Sequence, residues 1–111
     1  MFQRILLAWP HDTPPTRSLQ VAQSLADTYG AELTVCCLGN GAVEARAAAG
    51  ADATIESLPA AHADRELLHY AHKHAFDLLV IGRVHQDEPL PRRVIGWASL
   101  PVLVVAEEPQ T

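Results

Sequence analysis

Gly82 and Arg83 are the residues best placed to bind a small ligand, because they follow a short apolar run at residues 76–82. The run does not alternate between apolar and polar residues, which predicts a strand buried on both faces of a parallel sheet. Ligands of open parallel sheets bind just beyond the carboxyl ends of the strands. We therefore expect any ligand at residues 82–85, at the start of a loop that continues to Pro91.

Six histidines are many for a chain of 111 residues, but their spacing does not indicate a metal site. His62 and His69 share a predicted helix face, yet they lie about 10 Å apart along the helix axis, too far for one metal ion. His69 and His72 could supply two ligands, and the sequence indicates no third. We interpret these residues as a solvated helix face, with a pH-dependent surface as the alternative.

Cys36 and Cys37 are adjacent in a predicted strand, so their side chains should point to opposite faces and should not form a disulfide with each other. We interpret them as packing residues, one pointing inward and one outward, in a reducing compartment. A redox-reactive thiol is the alternative, although no basic residue stands beside them in the sequence.

Trp9 and Trp97 offer two large aromatic surfaces, and we expect both to fill the core. Stacking on an adenine ring is the alternative. No Ser-His-Asp order, paired-carboxylate motif or metal-binding pattern indicates catalysis, so we do not expect an enzyme.

The composition is that of one compact globular domain over residues 1–111, with 49% hydrophobic and 19% charged residues. The formal net charge of -5 disfavours nucleic acid as a partner, because phosphate binding needs a clustered positive face. No apolar run approaches the roughly 20 residues of a membrane helix, and the first residues lack a signal-peptide pattern, so we expect a cytoplasmic protein that does not bind membranes. Residues 107–111 should form a loose tail.

Strands and helices are predicted to alternate along the chain, which implies a single α/β domain with a parallel sheet and right-handed crossovers. Thr13 is the expected N-cap of the first helix, with Pro14 at its first position and Gly30 at its end. The buried stripe of this helix should comprise Leu19, Ala22, Leu25, Ala26 and Tyr29. We expect strands at residues 3–9, 31–38, 53–57, 77–81 and 101–106, and helices at residues 14–29, 42–49, 60–75 and 90–99.

Three segments together resemble the universal stress protein family. Residues 4–35 are similar to its first β-α-β unit, residues 76–83 to its fourth strand, and residues 93–105 to its closing helix and strand. The resemblance implies a Rossmann-like fold, with a five-stranded parallel sheet of order 3-2-1-4-5 and helices on both faces. One branch of the family binds ATP. Many members dimerise through the last strand, an apolar edge that needs covering, which here comprises Val102, Leu103, Val104 and Val105.

Residues at three positions argue that the ATP site of the family is missing from this chain. Nucleotide-binding members have an acidic residue after the first strand, where this chain has Pro10; Asp12 follows two positions later and is better placed to start the helix. The family's phosphate loop needs glycines whose N–H groups close around phosphates, but its second and third glycine positions are His85 and Ile95.

The composition of the loop after the fourth strand also indicates that the ATP site is missing. Asp87 and Glu88 would repel a triphosphate, and Pro89 and Pro91 lack an N–H donor. The positive charges that argue for phosphate binding are those of Arg83, Arg92 and Arg93.

We therefore predict a non-enzymatic, stress-related homodimer without a cofactor, which acts on an unknown protein partner. The first alternative is a module that binds AMP or ATP, and its candidate residues are Ala8, Trp9, Val35, Gly82 and Arg83. The second alternative rests on residues 48–52 and 77–83, which resemble parts of electron-transfer flavoprotein subunits. It implies a bound flavin.

Overall fold

The computed structural model describes residues 2–10, 14–84 and 88–107. Within these ranges five strands form one sheet of order 3-2-1-4-5, and every pair of neighbouring strands is parallel, as predicted. The strands are β1 (Arg4–Trp9), β2 (Glu32–Leu38), β3 (Thr54–Leu58), β4 (Leu78–Arg83) and β5 (Val102–Ala106). The helices are α1 (Thr16–Tyr29), α2 (Ala42–Ala49), α3 (Ala63–Lys73) and α4 (Pro89–Trp97).

Helices cover both faces of the sheet, which explains why its strands are apolar without alternation. Ile5, Leu7 and Trp9 of β1 pack against α1 and α2, whereas Leu6 and Ala8 pack against α3 and α4. Successive side chains of a strand point to opposite faces, so each of the two apolar clusters takes every second residue. None of the helices in the described residues is long and apolar enough to cross a membrane.

The first helix ends as predicted but begins later. Gly30 closes α1 in the left-handed conformation. The helix begins at Thr16, so Pro14 is not its first residue, and the N-cap position is held by Pro15, whose side chain makes no capping hydrogen bond. The expected N-cap, Thr13, lies outside the described residues. Tyr29 of the predicted buried stripe is 43% exposed. It lies at the surface, where its ring packs edge-on against Phe2 instead of entering the core.

Two further predictions of buried or helical residues are wrong. Trp97 is 79% exposed and does not fill the core, because it is the last residue of α4 and lies beyond the buried Val94. The third helix is shorter than residues 60–75 at both ends. His62 and Ala75, just outside it, have positive φ angles of 56° and 55°, which are incompatible with a right-handed helix.

Asp77 holds the amino ends of β1 and β4 together. Its carboxylate accepts the backbone N–H groups of Gln3 and Arg4, at 2.8 and 3.2 Å, and its own N–H donates to the carbonyl of Arg4. The Arg4 guanidinium lies over the ring of Phe76 and donates to the carbonyl of His74. The pair Phe76-Asp77 therefore fixes how β4 enters the sheet next to β1, and with it the position of Gly82.

Candidate functional site at the carboxyl edge of the sheet

The carboxyl ends of β1 and β4 separate at the point where the sheet reverses its strand order. The pairing of β1 with β2 continues to Trp9 and Cys37, whereas its pairing with β4 stops at Leu7 and Val80. Such a switch point is where open parallel sheets form a crevice for a ligand. The predicted site therefore has the expected place in the fold, and its function depends on what lies in the crevice.

The start of α1 lies directly over Gly82. A Cβ atom placed on Gly82 would lie 2.6 Å from the hydroxyl oxygen of Ser18 and 3.0 Å from Cγ of Glu107. Ser18 is completely buried, although it is polar. The glycine is thus needed for close approach of the protein's own side chains, which occupy the space next to the strand.

Glu107 caps the first turn of α1 from the other end of the chain. Its carboxylate accepts the backbone N–H groups of Arg17 and Ser18, at 2.9 and 2.7 Å, and the hydroxyl of Ser18. The N–H of Glu107 donates to the carbonyl of Arg83, at 2.9 Å. Free N–H groups and the helix dipole favour an anion at this place, and here the anion is part of the protein.

The contacts of Glu107 correct the prediction that the loose tail begins at this residue; residues 108–111 lie outside the described part of the chain. The sequence carries an indirect signal for such a contact. The first turn of α1 contains no acidic residue, and Pro15 cannot cap it through its side chain. The N–H groups of this turn therefore need an acceptor from elsewhere, but the sequence does not say which residue supplies it.

A second carboxylate occupies the loop that follows β4. Glu88 accepts the backbone N–H of Val84, which is the first N–H after the strand. Glu88 stands just before α4, whose first and third residues are Pro89 and Pro91 and so have no N–H to offer. His85 and Asp87, to which the sequence assigned roles in this loop, lie outside the described residues, as does Asp12.

The five predicted nucleotide-binding residues do not form one surface. Ala8 and Val35 are completely buried, and Val35 pairs with Leu7 well before the end of β2. Trp9 fills the core as predicted and lies against Gly41. Gly82 is covered by Ser18 and Glu107, and the partly buried Arg83 ends β4 beside Ala106. Nucleotide binding by these residues stays a prediction.

Both cysteines lie in the core, on opposite faces of β2, and neither forms a disulfide. We expected one of the two to point outward to solvent, and this prediction is wrong, because helices cover both faces of the sheet. Burial, with smaller contributions from Glu56 and Cys37, raises the pKa of Cys36 from 9.0 to about 12. Burial, with Glu44 beside it, also raises the pKa of Cys37. Both environments disfavour the reactive thiolate.

The remaining titratable groups do not form a metal centre. Within the described ranges, no group of three or more His, Cys, Asp or Glu residues is arranged to hold a metal ion. A groove of about 700 Å³ lies at the amino edge of the sheet, far from Gly82, and is lined mainly by Gln23, Ala26, Asp27, Glu32, Asp52 and Thr54.

Several known structures with the same fold are those of universal stress proteins. That of Archaeoglobus fulgidus has a TM-score of 0.71 at 19% identity, covering 94% of this chain and 93% of its own. Its complex with dAMP has a TM-score of 0.71 at 20% identity, with coverages of 93% and 97%. A universal stress protein in complex with cAMP has a TM-score of 0.74 at 20% identity, with coverages of 95% and 97%.

The comparison of sequences adds nothing to this result, since no protein-family model and no curated protein matches the chain. The structural matches extend over more than nine-tenths of the chain, at TM-scores of 0.71 to 0.74. The chain therefore has the fold of the universal stress proteins.

Proposed function

We propose that the chain is a non-enzymatic, cytoplasmic protein of the universal stress protein type, which lacks the ATP site, forms a homodimer and acts by binding another protein. The observation that carries this proposal is the use of backbone N–H groups at the carboxyl edge. Those of Val84, Arg17 and Ser18 all donate to the protein's own carboxylates, Glu88 and Glu107.

The electrostatics of this edge also support the proposal that the chain lacks an ATP site. A nucleotide phosphate next to Gly82 would meet the negative charges of Glu88 and Glu107 instead of free N–H groups. Two like charges at about 4 Å repel each other by roughly 1 kcal/mol in water and by more where water is excluded. Triphosphate binding would therefore require the displacement of at least one carboxylate from its hydrogen bonds.

Calorimetric titration of the purified protein with ATP and with AMP should give no binding heat at millimolar nucleotide. The physical reason is that the backbone N–H groups that could donate to a phosphate at this edge already donate to carboxylates of the protein. A saturable heat that Arg83→Ala abolishes would contradict this proposal and establish the nucleotide-binding alternative. Arg65→Ala is the matched control, because it removes the same charge from the exposed face of α3.

The nucleotide-binding alternative has one observation in its favour. Two of the structures with the same fold contain adenine nucleotides, cAMP in one and dAMP in the other. Arg83 is partly buried at the end of β4 and is the cation of this chain best placed for such a ligand. A monophosphate carries less charge than ATP, so AMP is the more favourable ligand for an edge that contains two carboxylates.

The homodimer would form through β5, which is an edge of the sheet. The carbonyl of Pro101 accepts from Leu79, and the N–H of Glu107 donates to Arg83, so the odd-numbered residues direct their backbone groups toward β4. Val102 and Val104 therefore direct theirs outward, where a second strand could pair. Of the predicted interface residues, Leu103 is 37% exposed, Val102 and Val104 are partly buried, and Val105 is buried in the monomer core.

We expect the wild-type chain to sediment as a dimer at micromolar concentration and Val104→Pro to sediment as a monomer. Proline removes the outward N–H of residue 104 and leaves the pairing with β4 intact. Leu103→Pro is the control for folding, since it removes an N–H that faces β4 and should destabilise the monomer itself. A wild-type chain that sediments only as a monomer would contradict the proposed dimer.

A further inference from the structure

The outer face of α4 combines apolar surface with positive charge. Trp97 is 79% exposed and Ile95 is 55% exposed, and Arg92 and Arg93 are exposed on the same helix. At about 100° per residue, the two arginines and Gly96 lie opposite the buried side of α4, with Ile95 and Trp97 on the two flanks. We call these residues the α4 face; they are Arg92, Arg93, Ile95, Gly96 and Trp97.

The folded monomer makes little use of the α4 face. The guanidinium groups of Arg92 and Arg93 form no hydrogen bond or ion pair with any residue that the structure describes. Neither arginine lies in the last turn of α4, where a positive charge would stabilise the helix. Glycine is less favourable than alanine inside a helix, yet a Cβ atom placed on Gly96 would meet no atom within 4 Å. The face therefore has charge, apolar area and free space that suit contact with another molecule.

The charge of the α4 face is opposite to that of the whole chain. The chain has 13 acidic residues and a net charge of -5, whereas α4 contains two arginines and no acidic residue. Tryptophan and arginine are among the residues that most often carry the binding energy of protein interfaces. The planar guanidinium group is also suited to pair with a carboxylate through two parallel hydrogen bonds. The face thus complements a segment that carries both carboxylates and an apolar side chain.

A short protein segment fits this face better than an extended polyanion does. The nine residues of α4 span only about 14 Å, so a nucleic acid duplex or an anionic membrane would extend beyond the helix and approach the acidic surface around it. At physiological ionic strength, charges farther away than about 8 Å are largely screened. A segment that touches only α4 therefore meets the two arginines and little of the repulsion from the rest of the chain.

We propose that the α4 face is a docking surface for an acidic segment of the partner protein. Carboxylates of this segment pair with Arg92 and Arg93, and an apolar side chain packs against Trp97. The open space at Gly96 lets the backbone of the segment come close to the helix. The inference rests on the proposed function, in which the chain acts by binding another protein, and it adds the surface and the chemistry of the partner.

The test is a titration of the full chain with a dye-labelled synthetic peptide of glutamates around a central leucine, followed through the anisotropy of the dye. Wild type should bind the peptide saturably and should not bind the same peptide with lysine in place of glutamate. The double variant Arg92→Glu with Arg93→Glu should bind at least about tenfold more weakly than wild type. Trp97→Ser should bind at least about fivefold more weakly, because it removes the apolar anchor.

Two control variants match these changes elsewhere on the surface. Arg65→Glu with Lys73→Glu reverses two charges on the exposed side of α3, so it changes the net charge of the chain by the same amount. Val43→Ser removes an apolar side chain that is 80% exposed on α2, which packs on the other face of the sheet. Both controls should bind the glutamate peptide as wild type does.

The docking surface would be overturned by absence of binding to wild type, or by equal losses in the α4 variants and their controls. Binding of wild type to vesicles of anionic phospholipid but not to the peptide would assign the face to a membrane and refute the proposal as well. If Trp97→Ser sedimented as a smaller species than wild type, the face would be covered by a second copy of the chain and not by an acidic partner. Binding of ATP to wild type would instead overturn the proposed function alone, because it reports on Arg83 at the end of β4.

Discussion

Gly82→Ala should destabilise the protein by about 1–3 kcal/mol, the usual cost of overpacking a well-packed site. The new Cβ would lie 2.6 Å from the hydroxyl oxygen of Ser18 and 3.0 Å from Cγ of Glu107. Ser18 cannot withdraw easily, since it is completely buried and belongs to the first turn of α1. Chemical denaturation with a shift of the midpoint at constant slope would measure the loss.

The sign of this effect is informative, because replacing glycine by alanine in an unstrained position ordinarily stabilises a protein by about 0.4–1 kcal/mol. Gly96 supplies that comparison within the same chain. It lies in α4, and a Cβ placed on it meets no atom within 4 Å. We expect Gly96→Ala to stabilise the protein, so the two substitutions should shift the denaturation midpoint in opposite directions.

A double-mutant cycle locates the cause. Ser18→Ala removes the oxygen that approaches the new Cβ most closely, so part of the cost of Gly82→Ala should disappear in the double variant. Neighbouring residues in such cycles couple by about 0.5–3 kcal/mol. If Gly82→Ala behaved like Gly96→Ala, or if its effect were independent of Ser18, the crevice would not be closed by these side chains.

The sequence predicts the sheet well because the sheet follows from local patterns. Continuous apolar strands such as residues 5–8 and 78–81 require cover on both faces, and α/β alternation with right-handed crossovers leaves few strand orders. The end of α1 at Gly30 is equally local, since glycine adopts the left-handed conformation without strain. These features depend on neighbours in sequence, so residue type and spacing are enough.

The contents of the crevice could not be predicted in the same way. The contact between Ser18 and Glu107 joins residues that are 89 positions apart in the sequence. It depends on the strand order, which places the end of β5 near the start of α1. The same holds for Trp97, whose type indicates burial but whose place at the end of α4 leaves it exposed. The prolines at residues 89 and 91, by contrast, indicate from sequence alone that α4 has few N–H groups for phosphate.

Cys36 should be almost unreactive in the folded protein and become reactive only on unfolding. Burial raises its pKa from 9.0 to about 12, so at pH 8 the thiolate fraction should be lower by about a thousandfold than that of an ordinary thiol. Labelling with a thiol reagent in native buffer should therefore follow the rate of unfolding, whereas labelling in denaturant should be fast. Rapid labelling of Cys36 in the native protein would contradict this prediction and favour the alternative of a redox-reactive thiol.

The same pKa makes stability depend on alkaline pH, and the sign follows from which state holds the proton. Between pH 9 and about pH 12 the unfolded thiol ionises and the folded thiol does not, so the unfolded state binds fewer protons. The free energy of unfolding should then fall by up to about 1.4 kcal/mol per pH unit above pH 9 from Cys36, and stay independent of this group below it. Tyr70 and Cys37, whose pKa values are also raised, act in the same direction.

The variant Cys36→Ala isolates the contribution of Cys36, because the stability of this variant should fall less steeply than that of wild type above pH 9. Equal slopes would show that Cys36 ionises as easily in the folded core as in the unfolded chain.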